Sequence, residues 1–577
     1  MRPQQPMGDR RKSQRRRAAT LVAAVVSVAF IATACTEGIE ESEPLEPAAA
    51  EQRVREIAAE IGWLDEPIDR KASVAPGGDK VLADTLPDIE EFVLSVDPVD
   101  RAGQTTAEIF VSTEKSGSGT DGWMVEAAES FNRSDQKLAD GTDAKVAIRK
   151  IASGTGYQYI AAGDHIPAGF SPSNHLWIER AKTHSPMSAV TDQTVPNVAG
   201  IVMKDETARQ LRDEYGELDT KVLLEAVIAG ELVMGYTNPF ASSTGLNFLL
   251  TVLDDFAEGD EARLVAPDVA SVFEAFQEQV PFVAFTTLQM RESVEKDNGS
   301  LDAFVMEWQT YDNTDSLRSG FEFIPFGIRH DNPLYAFDSA TPQEREVLEL
   351  FAQHMRSDDL QRKAEEFGFA PPDYVSDVAV PSGETLIEAQ QLWKDKKDAG
   401  RPVYAVFVTD TSGSMSGSRI FAVQQALESS REFINPEASV GMVEFSDRAR
   451  KRLDIAPFDL NQQALFAAAV QDMDPVGGTA MYDGVMLGLS MLAEQRAIDP
   501  SGKYLLVVLT DGETNEGLGL GQVDEIIAGL RIPVFTVGFE ANLEELGRLA
   551  SLVEAATINA SEGDVEFKLT SLFNAGV

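Results

Sequence analysis

The amino-acid sequence predicts an α/β protein built from two globular units, the second carrying a doubly wound parallel sheet. Three observations predict it. Apolar runs such as Val406–Thr409 and Leu505–Thr510 read as buried strands, each closed by an aspartate, Asp410 and Asp511. Such runs alternate with segments of helical spacing along 401–577, the pattern of parallel strands joined by crossover helices. The order strand, polar turn, helix also recurs through 105–375. A chain of 577 residues that is 43% hydrophobic has enough material for two or more cores.

The N-terminus reads as an export signal. Its first 17 residues carry seven Arg or Lys and one acidic residue, followed by the apolar stretch Ala18–Ala34. The stretch runs into Ala32-Thr-Ala34-Cys35, and Cys35 is the only cysteine of the chain. This resembles a bacterial lipoprotein signal, which implies removal of 1–34 and lipidation of Cys35. An uncleaved signal anchor is the alternative, since 17 apolar residues are just long enough to span a bilayer. Either way the folded part is expected outside the membrane, and the lipoprotein reading sets it on the outer face of the bacterial cell membrane. One cysteine excludes an internal disulfide.

The net charge is −45, and +7 and −1 of it come from the first 34 residues, so the remainder carries about −51. Such a surface argues against nucleic-acid partners and against anionic membranes. Residues 35–104 open Glu/Pro/Ala-rich and read as an acidic stalk or linker, with helical spacing at Glu51–Ile61 and a short amphipathic piece at Ile89–Val96. Packing of this segment on the next domain is the alternative.

The span 105–375 reads as a domain. A strand ending at Val111-Ser112-Thr113 leads into a loop with Ser116, Ser118 and three glycines, then a helix at Trp123–Asn132. A second strand ends in Ser153-Gly-Thr-Gly, and a third, Glu231–Thr237, ends in Asn238-Pro-Phe-Ala-Ser242-Ser243-Thr244-Gly before the helix Leu246–Phe256. Gly/Ser turns at helix N-termini present N–H groups and hydroxyls to anions. Ser112, Ser116, Ser118, Ser153, Asn238, Ser242, Ser243 and Thr244 are therefore the candidate ligand contacts; each could equally be a cap or turn residue.

This organisation resembles type II periplasmic solute-binding proteins. The resemblance implies two α/β lobes closing on a small-molecule or peptide ligand. It makes Phe282–Thr286 the return towards the first lobe, and Phe323–Gly327 with the helices Pro342–Met355 and Asp359–Phe367 the closing segment. His165 and His175 flank a Pro/Ser-rich stretch and are not expected to bind metal, and Trp123, Trp177 and Trp308 are expected in the core or cleft wall. Residues 376–400 read as a linker helix that couples the domains.

Across 401–577 the expected strands are Tyr404–Thr409, Ser439–Phe445, Lys451–Ile455, Tyr504–Leu509, Val534–Phe539 and Thr557–Asn559. Helices are expected near Arg419–Phe433, Asn461–Met473, Thr479–Gln495, Gln522–Leu530, Leu543–Val553 and Val565–Phe573. Asp410 stands at a strand end with Ser412 and Ser414 two and four residues on, Thr479 is expected to cap its helix, and Asp511 closes a neighbouring strand. Parallel strands bring such ends to one edge, and carboxylates with hydroxyls are hard donors for Mg²⁺ or Ca²⁺. A Ser/Gly-rich turn without a ligand is the plain alternative for the first segment. Asp447 and Asp483 are expected near this edge as caps or turn residues.

The set Asp410, Ser412, Ser414, Thr479 and Asp511 resembles the metal-ion-dependent adhesion site of von Willebrand factor type A domains. The resemblance implies a bound Mg²⁺, Ca²⁺ or Mn²⁺. The hydroxyls would bind it directly, the aspartates through water, and one position would stay open for an acidic side chain of a protein partner. No catalytic constellation accompanies it, and no histidine lies in the last 223 residues to activate Ser412 or Ser414. The expected function is non-enzymatic: a membrane-anchored surface lipoprotein that binds a protein partner through metal and a small ligand or peptide through the middle domain. A receptor for an ABC-type transporter, with the C-terminal domain as docking extension, is the alternative. An accessory to a metal enzyme is a third.

Overall fold

The computed structural model describes residues 44–577 except 75–85, 100, 282, 285–286, 288–289, 292–300, 436, 513, 540–542, 553–556, 562–563, 567, 570–571 and 573–577. Cys35 and the export signal lie outside the described residues, as do most of Phe282–Thr286 and parts of Val565–Phe573. Among the described residues no helix is long and apolar enough to cross a membrane.

The described part opens with a helix, Pro47–Glu60, and the two-residue strand β1 (Leu64–Asp65). It then builds β2 (Leu94–Val96), β3 (Gln104–Val111), β4 (Asp143–Lys150), β5 (Gly169–Ser171) and β6 (Met187–Thr191). Next come β7 (Val198–Lys204), β8 (Met234–Thr237), β9 (Val283–Ala284), β10 (Ala303–Glu307) and β11 (Phe321–Arg329), and then β12 (Leu334–Phe337). The last strands are β13 (Val403–Asp410), β14 (Ser439–Phe445), β15 (Ala449–Pro457), β16 (Lys503–Thr510), β17 (Val534–Phe539) and β18 (Thr557–Ala560).

These strands form three sheets. One lobe of the middle domain holds β2-β4-β3-β5-β12-β6, and the other holds β11-β7-β10-β8-β9. The chain crosses between the lobes twice, at 192–197 and 330–333. Both crossings are pinned by buried polar side chains: Asn197 donates to Glu307 at 2.9 Å, and Asn332 accepts from Lys115 at 2.9 Å.

The helix Gly383–Lys396 belongs to this domain, and so corrects the expectation of a separate linker at 376–400. Its apolar side, Leu386, Ala389 and Trp393, is buried in the middle-domain core. Trp393 donates its indole N–H to Tyr236 at 2.7 Å, and Gln390 donates to the Pro239 carbonyl at 2.6 Å. Both partners lie in the second lobe. At its other end Gly383 abuts the helix His175–Lys182 of the first lobe, so the helix packs on both.

The C-terminal sheet runs β1-β15-β14-β13-β16-β17-β18. β13 pairs in parallel with β14 and β16, and β17 and β18 extend that direction. β15 returns antiparallel to β14. Alternate residues of β13 face opposite cores: Ala405 and Phe407 join Leu427 and Phe466, whereas Val406 and Val408 join Met486, Leu489 and Ile527. Helices therefore cover both faces, the doubly wound arrangement.

Residues 44–74 complete this C-terminal domain, which corrects the expectation of a stalk. Pro47 fits the first helical turn, where no N–H is needed. Ala50, Val54 and Ile57 fall four and three residues apart on one helix face and are buried in the core that also holds Val406 and Ile527. Leu45 donates its N–H to the Glu525 carbonyl at 3.1 Å, and Arg496 pairs with Glu51 at 2.9 Å. A Cβ at Gly529 would stand 2.4 Å from the Leu45 carbonyl oxygen, so glycine permits this close approach. β1 then adds to the sheet edge, with Leu64 opposite Arg450. The second part of the expected stalk joins the first lobe, where β2 pairs with β4. The middle domain is thus an insertion between two parts of the C-terminal domain.

Candidate functional site

The edge formed by the carboxyl ends of β13 and β16 gathers the predicted donors. Asp410 is 1% exposed. Its Oδ1 accepts the Ser412 backbone N–H at 2.7 Å, and its Oδ2 accepts the Thr510 hydroxyl. The hydroxyls of Ser412 and Ser414 are 2.9 Å apart, and Ser414 donates to Asp511 Oδ1 at 2.8 Å. Four of the five predicted residues therefore form one hydrogen-bonded chain. Thr479 is held on the adjoining loop, which Gly413 N–H ties in through the Gly477 carbonyl at 3.0 Å. Thr479 does not cap the following helix: Ala480 is the N-cap, and Thr479 donates its backbone N–H to Asn515 at 2.8 Å. Asp447, in a bend, accepts the backbone N–H of Gly478, and Asp483, in the first turn of the helix Met481–Ile498, accepts that of Leu518.

Burial pushes the Asp410 carboxyl up, and the charge of Asp511 adds to this, against the hydrogen bonds from Ser412 and Thr510. Two neighbouring carboxylates out of water call for a cation. Arg419 supplies one, donating to Asp511 Oδ2 at 2.7 Å, and sequence reasoning missed it. Among the described residues no three His, Cys, Asp or Glu side chains converge as a metal cluster. A metal here would rest on hydroxyls as much as on carboxylates, and that donor chemistry fits Mg²⁺ or Ca²⁺.

The middle domain holds a cavity between its lobes. Thr113, Glu114, Ala152, Ser153 and Ser173 line it from one side, and Ala241, Ser242, Ser243, Thr287, Glu307 and Thr310 from the other; its cavity volume is about 40 Å³. The lobes touch beside it. Gly154 N–H donates to the Ala241 carbonyl at 3.3 Å, and a Cβ at Gly154 would lie 2.2 Å from the Phe240 carbonyl oxygen.

Of the eight predicted ligand contacts, the structure brings Ser153, Ser242 and Ser243 to this cavity. The other five do not line it. Ser112 bonds Glu114 and Lys115, and Ser116 bonds the carbonyls of Val111 and Ser112. Asn238 accepts the Phe240 N–H at 2.8 Å as a turn residue, and Thr244 donates to Glu307 at 3.2 Å. Ser118 is exposed. These hydroxyls and amides satisfy the fold's own polar groups.

Glu114 and Glu307 were missed. Ser173 donates to Glu114 Oε1 at 2.7 Å, and Lys115 stands 3.6 Å from the same oxygen. Burial works against the Glu114 charge, but Lys115 and the hydroxyls of Ser112 and Ser173 outweigh it and hold the carboxyl below its ordinary range. Glu307 lies 3.0 Å from His330. A signal for Glu307 existed: Ala303-Phe-Val-Met-Glu307 is an apolar run closed by a carboxylate, like the run before Asp410. His165 pairs with Glu108 at 3.0 Å and stacks on Phe110, and His175 lies 3.7 Å from Asp192. Trp123 and Trp177 are fully buried.

Residues 405–573 match the von Willebrand factor type A domain, so the C-terminal domain belongs to that family. The human protein inter-alpha-trypsin inhibitor heavy chain H4 is 32% identical over 150 residues, 24% of this chain and 16% of that protein. The chain thus spans about a sixth of the curated relatives it matches. Among solved structures, the sulfate-binding protein SubI from Mycobacterium tuberculosis H37Rv aligns at 15% identity with a TM-score of 0.33, covering 47% of this chain and 88% of that one. A periplasmic thiamin binding protein aligns at 11% identity with a TM-score of 0.35, covering 52% and 99%.

Proposed function

We propose that the chain is a non-enzymatic, lipid-anchored binding protein of the extracytoplasmic face. In this reading its C-terminal domain captures a protein partner through a divalent metal, and its middle domain binds a small ligand or peptide. The hydrogen-bonded chain Asp410–Ser412–Ser414–Asp511 carries the metal reading. Ser412, Ser414 and Thr479 would hold the ion, with Asp410 and Asp511 balancing its charge. Once bound, the ion supplies a Lewis-acidic position for an acidic side chain of the partner. Ser412 and Ser414 have no histidine nearby in sequence to make them nucleophiles, which supports a binding role over a hydrolytic one.

The test uses the full chain, because residues 44–74 are part of the same domain. Mg²⁺ or Mn²⁺ should raise its melting temperature by mass action, and Asp410→Ala should remove the shift. An unshifted melting curve in the unaltered protein overturns the metal reading. Anchoring is tested separately: Cys35→Ala should release the protein from the membrane fraction.

A second reading, a solute receptor for an ABC-type transporter, draws on the cavity between the lobes. It requires delivery of bound solute to a permease. A transport assay in cells lacking this chain separates it from the first.

A further inference from the structure

The cavity between the lobes has an uneven chemistry. Among the described residues that line it, two are acidic, Glu114 and Glu307, and none is basic. The buried Lys115 does not line it: behind the lining it stands 3.6 Å from Glu114 Oε1 and donates to Ser112, to the Pro172 carbonyl at 3.2 Å and to Asn332 at 2.9 Å, so it offsets part of this charge. Glu307 keeps its place through Asn197, Thr244 and His330, none of which lines the cavity.

The other pole consists of Ser153 and Ser243. Each opens a helix, Ser153–Ala162 and Ser243–Ala257, where backbone N–H groups are left over and the dipole favours negative charge. The two residues are 4% and 5% exposed, and among the described residues neither hydroxyl has a hydrogen-bond partner. Buried hydroxyls are rarely left so, and two at one cavity leave donors for a bound molecule or water to satisfy. Ser242, beside Ser243, is by contrast engaged as a helix cap, accepting the Gly245 N–H at 3.2 Å.

Building on the reading of the middle domain as a small-ligand binder, we infer that its ligand is a small zwitterion of the amino-acid type. Its acid group sits at Ser153 and Ser243, and its ammonium sits at Glu114 and Glu307. A fully ionised oxyanion would satisfy the two serines but would stand against two carboxylates, with no basic side chain among the described lining residues. A simple amine would satisfy the carboxylates and leave the serines unpaired. Only a molecule carrying both groups answers both poles, and the limited space between the lobes restricts it to a small one.

Calorimetric titration and thermal shift of the full chain decide this. The probes are the standard proteinogenic amino acids taken singly, sodium sulfate, inorganic phosphate and ethylamine. At least one amino acid should bind, and sulfate, phosphate and ethylamine should bind at least about tenfold more weakly. Ser243→Ala should weaken the amino acid by about tenfold. Its hydroxyl has no partner among the described residues, so the variant keeps the fold. Glu307→Gln should weaken it further. Sulfate or phosphate binding as tightly as every amino acid, with the same loss in Ser243→Ala, overturns the zwitterion and leaves the small-ligand reading standing. Silence from every probe overturns the zwitterion and counts against the small-ligand reading as well.

Discussion

Arg419 donates to Asp511 Oδ2 at 2.7 Å, on the carboxylate whose Oδ1 takes the Ser414 hydroxyl at 2.8 Å. The guanidinium is thus an internal counter-charge at the position where a metal ion would need one. It is a third exposed, so the pair itself adds little stability. Its effect is competition: cation binding at Asp511 must share or displace Arg419. Arg419→Ala should raise the apparent Mg²⁺ affinity several-fold, which calorimetry reads directly. Unchanged or weaker affinity would make Arg419 a supporting residue of the metal-bound state.

The N-terminal helix should be a determinant of C-terminal-domain stability. Val54 is fully buried against the core of a domain whose remainder begins over three hundred residues later. Val54→Ala should cost about 2 kcal/mol in denaturant unfolding. A fragment spanning 401–577 alone should melt lower than the same fragment joined to 44–74. Equal melting temperatures would refute the assignment of these residues to the domain.

Gly154 should control lobe closure. Any side chain there meets the Phe240 carbonyl oxygen, as the 2.2 Å approach of a bare Cβ shows. Gly154→Val should hold the lobes apart, increase the radius of gyration in small-angle scattering and weaken ligand binding by at least tenfold. Unaltered scattering and binding would mean that closure does not use this contact.

Stability should fall as pH rises towards neutrality, through Glu444. Burial pushes its carboxyl up to about 7, helped by Asp472 and Glu66 and opposed by Arg452 and Arg450. The folded form therefore holds the proton more tightly than the unfolded chain, where the ordinary value is 4.5. The resulting stabilisation is complete below the unfolded value and is lost as pH climbs through the folded one. Denaturant midpoints should decline from pH 5 to pH 8, and Glu444→Gln should flatten the decline.

Much of the fold was legible because buried strands announce themselves. Ser439–Phe445 and Val534–Phe539 are mostly apolar and buried on both faces, and their ends coincide with the expected ones. The metal-site candidates were legible for a related reason: Asp410 and Asp511 directly follow or close such strands, and parallel pairing brings strand ends together. The destination of Ala50, Val54 and Ile57 was not legible. Their spacing gives a helix and an apolar face but does not name the partner. β1 has two residues, too few for any period. The cavity was half legible, because a Ser/Gly turn reads alike whether it lines a cavity, as with Ser243, or closes a turn, as with Ser116.

The insertion of the middle domain sets a timetable for assembly. A chain made from its N-terminus presents Ala50, Val54 and Ile57 first and their partners on 481–530 last. The middle domain can close on itself while that early helix still waits. A product cut short before β16 would thus carry a finished middle domain beside an uncovered apolar helix, and would lack Asp511. Such a helix is the kind of signal that chaperones and proteases recognise, so surveillance of incomplete chains would act on the N-terminal end for a defect at the C-terminal one.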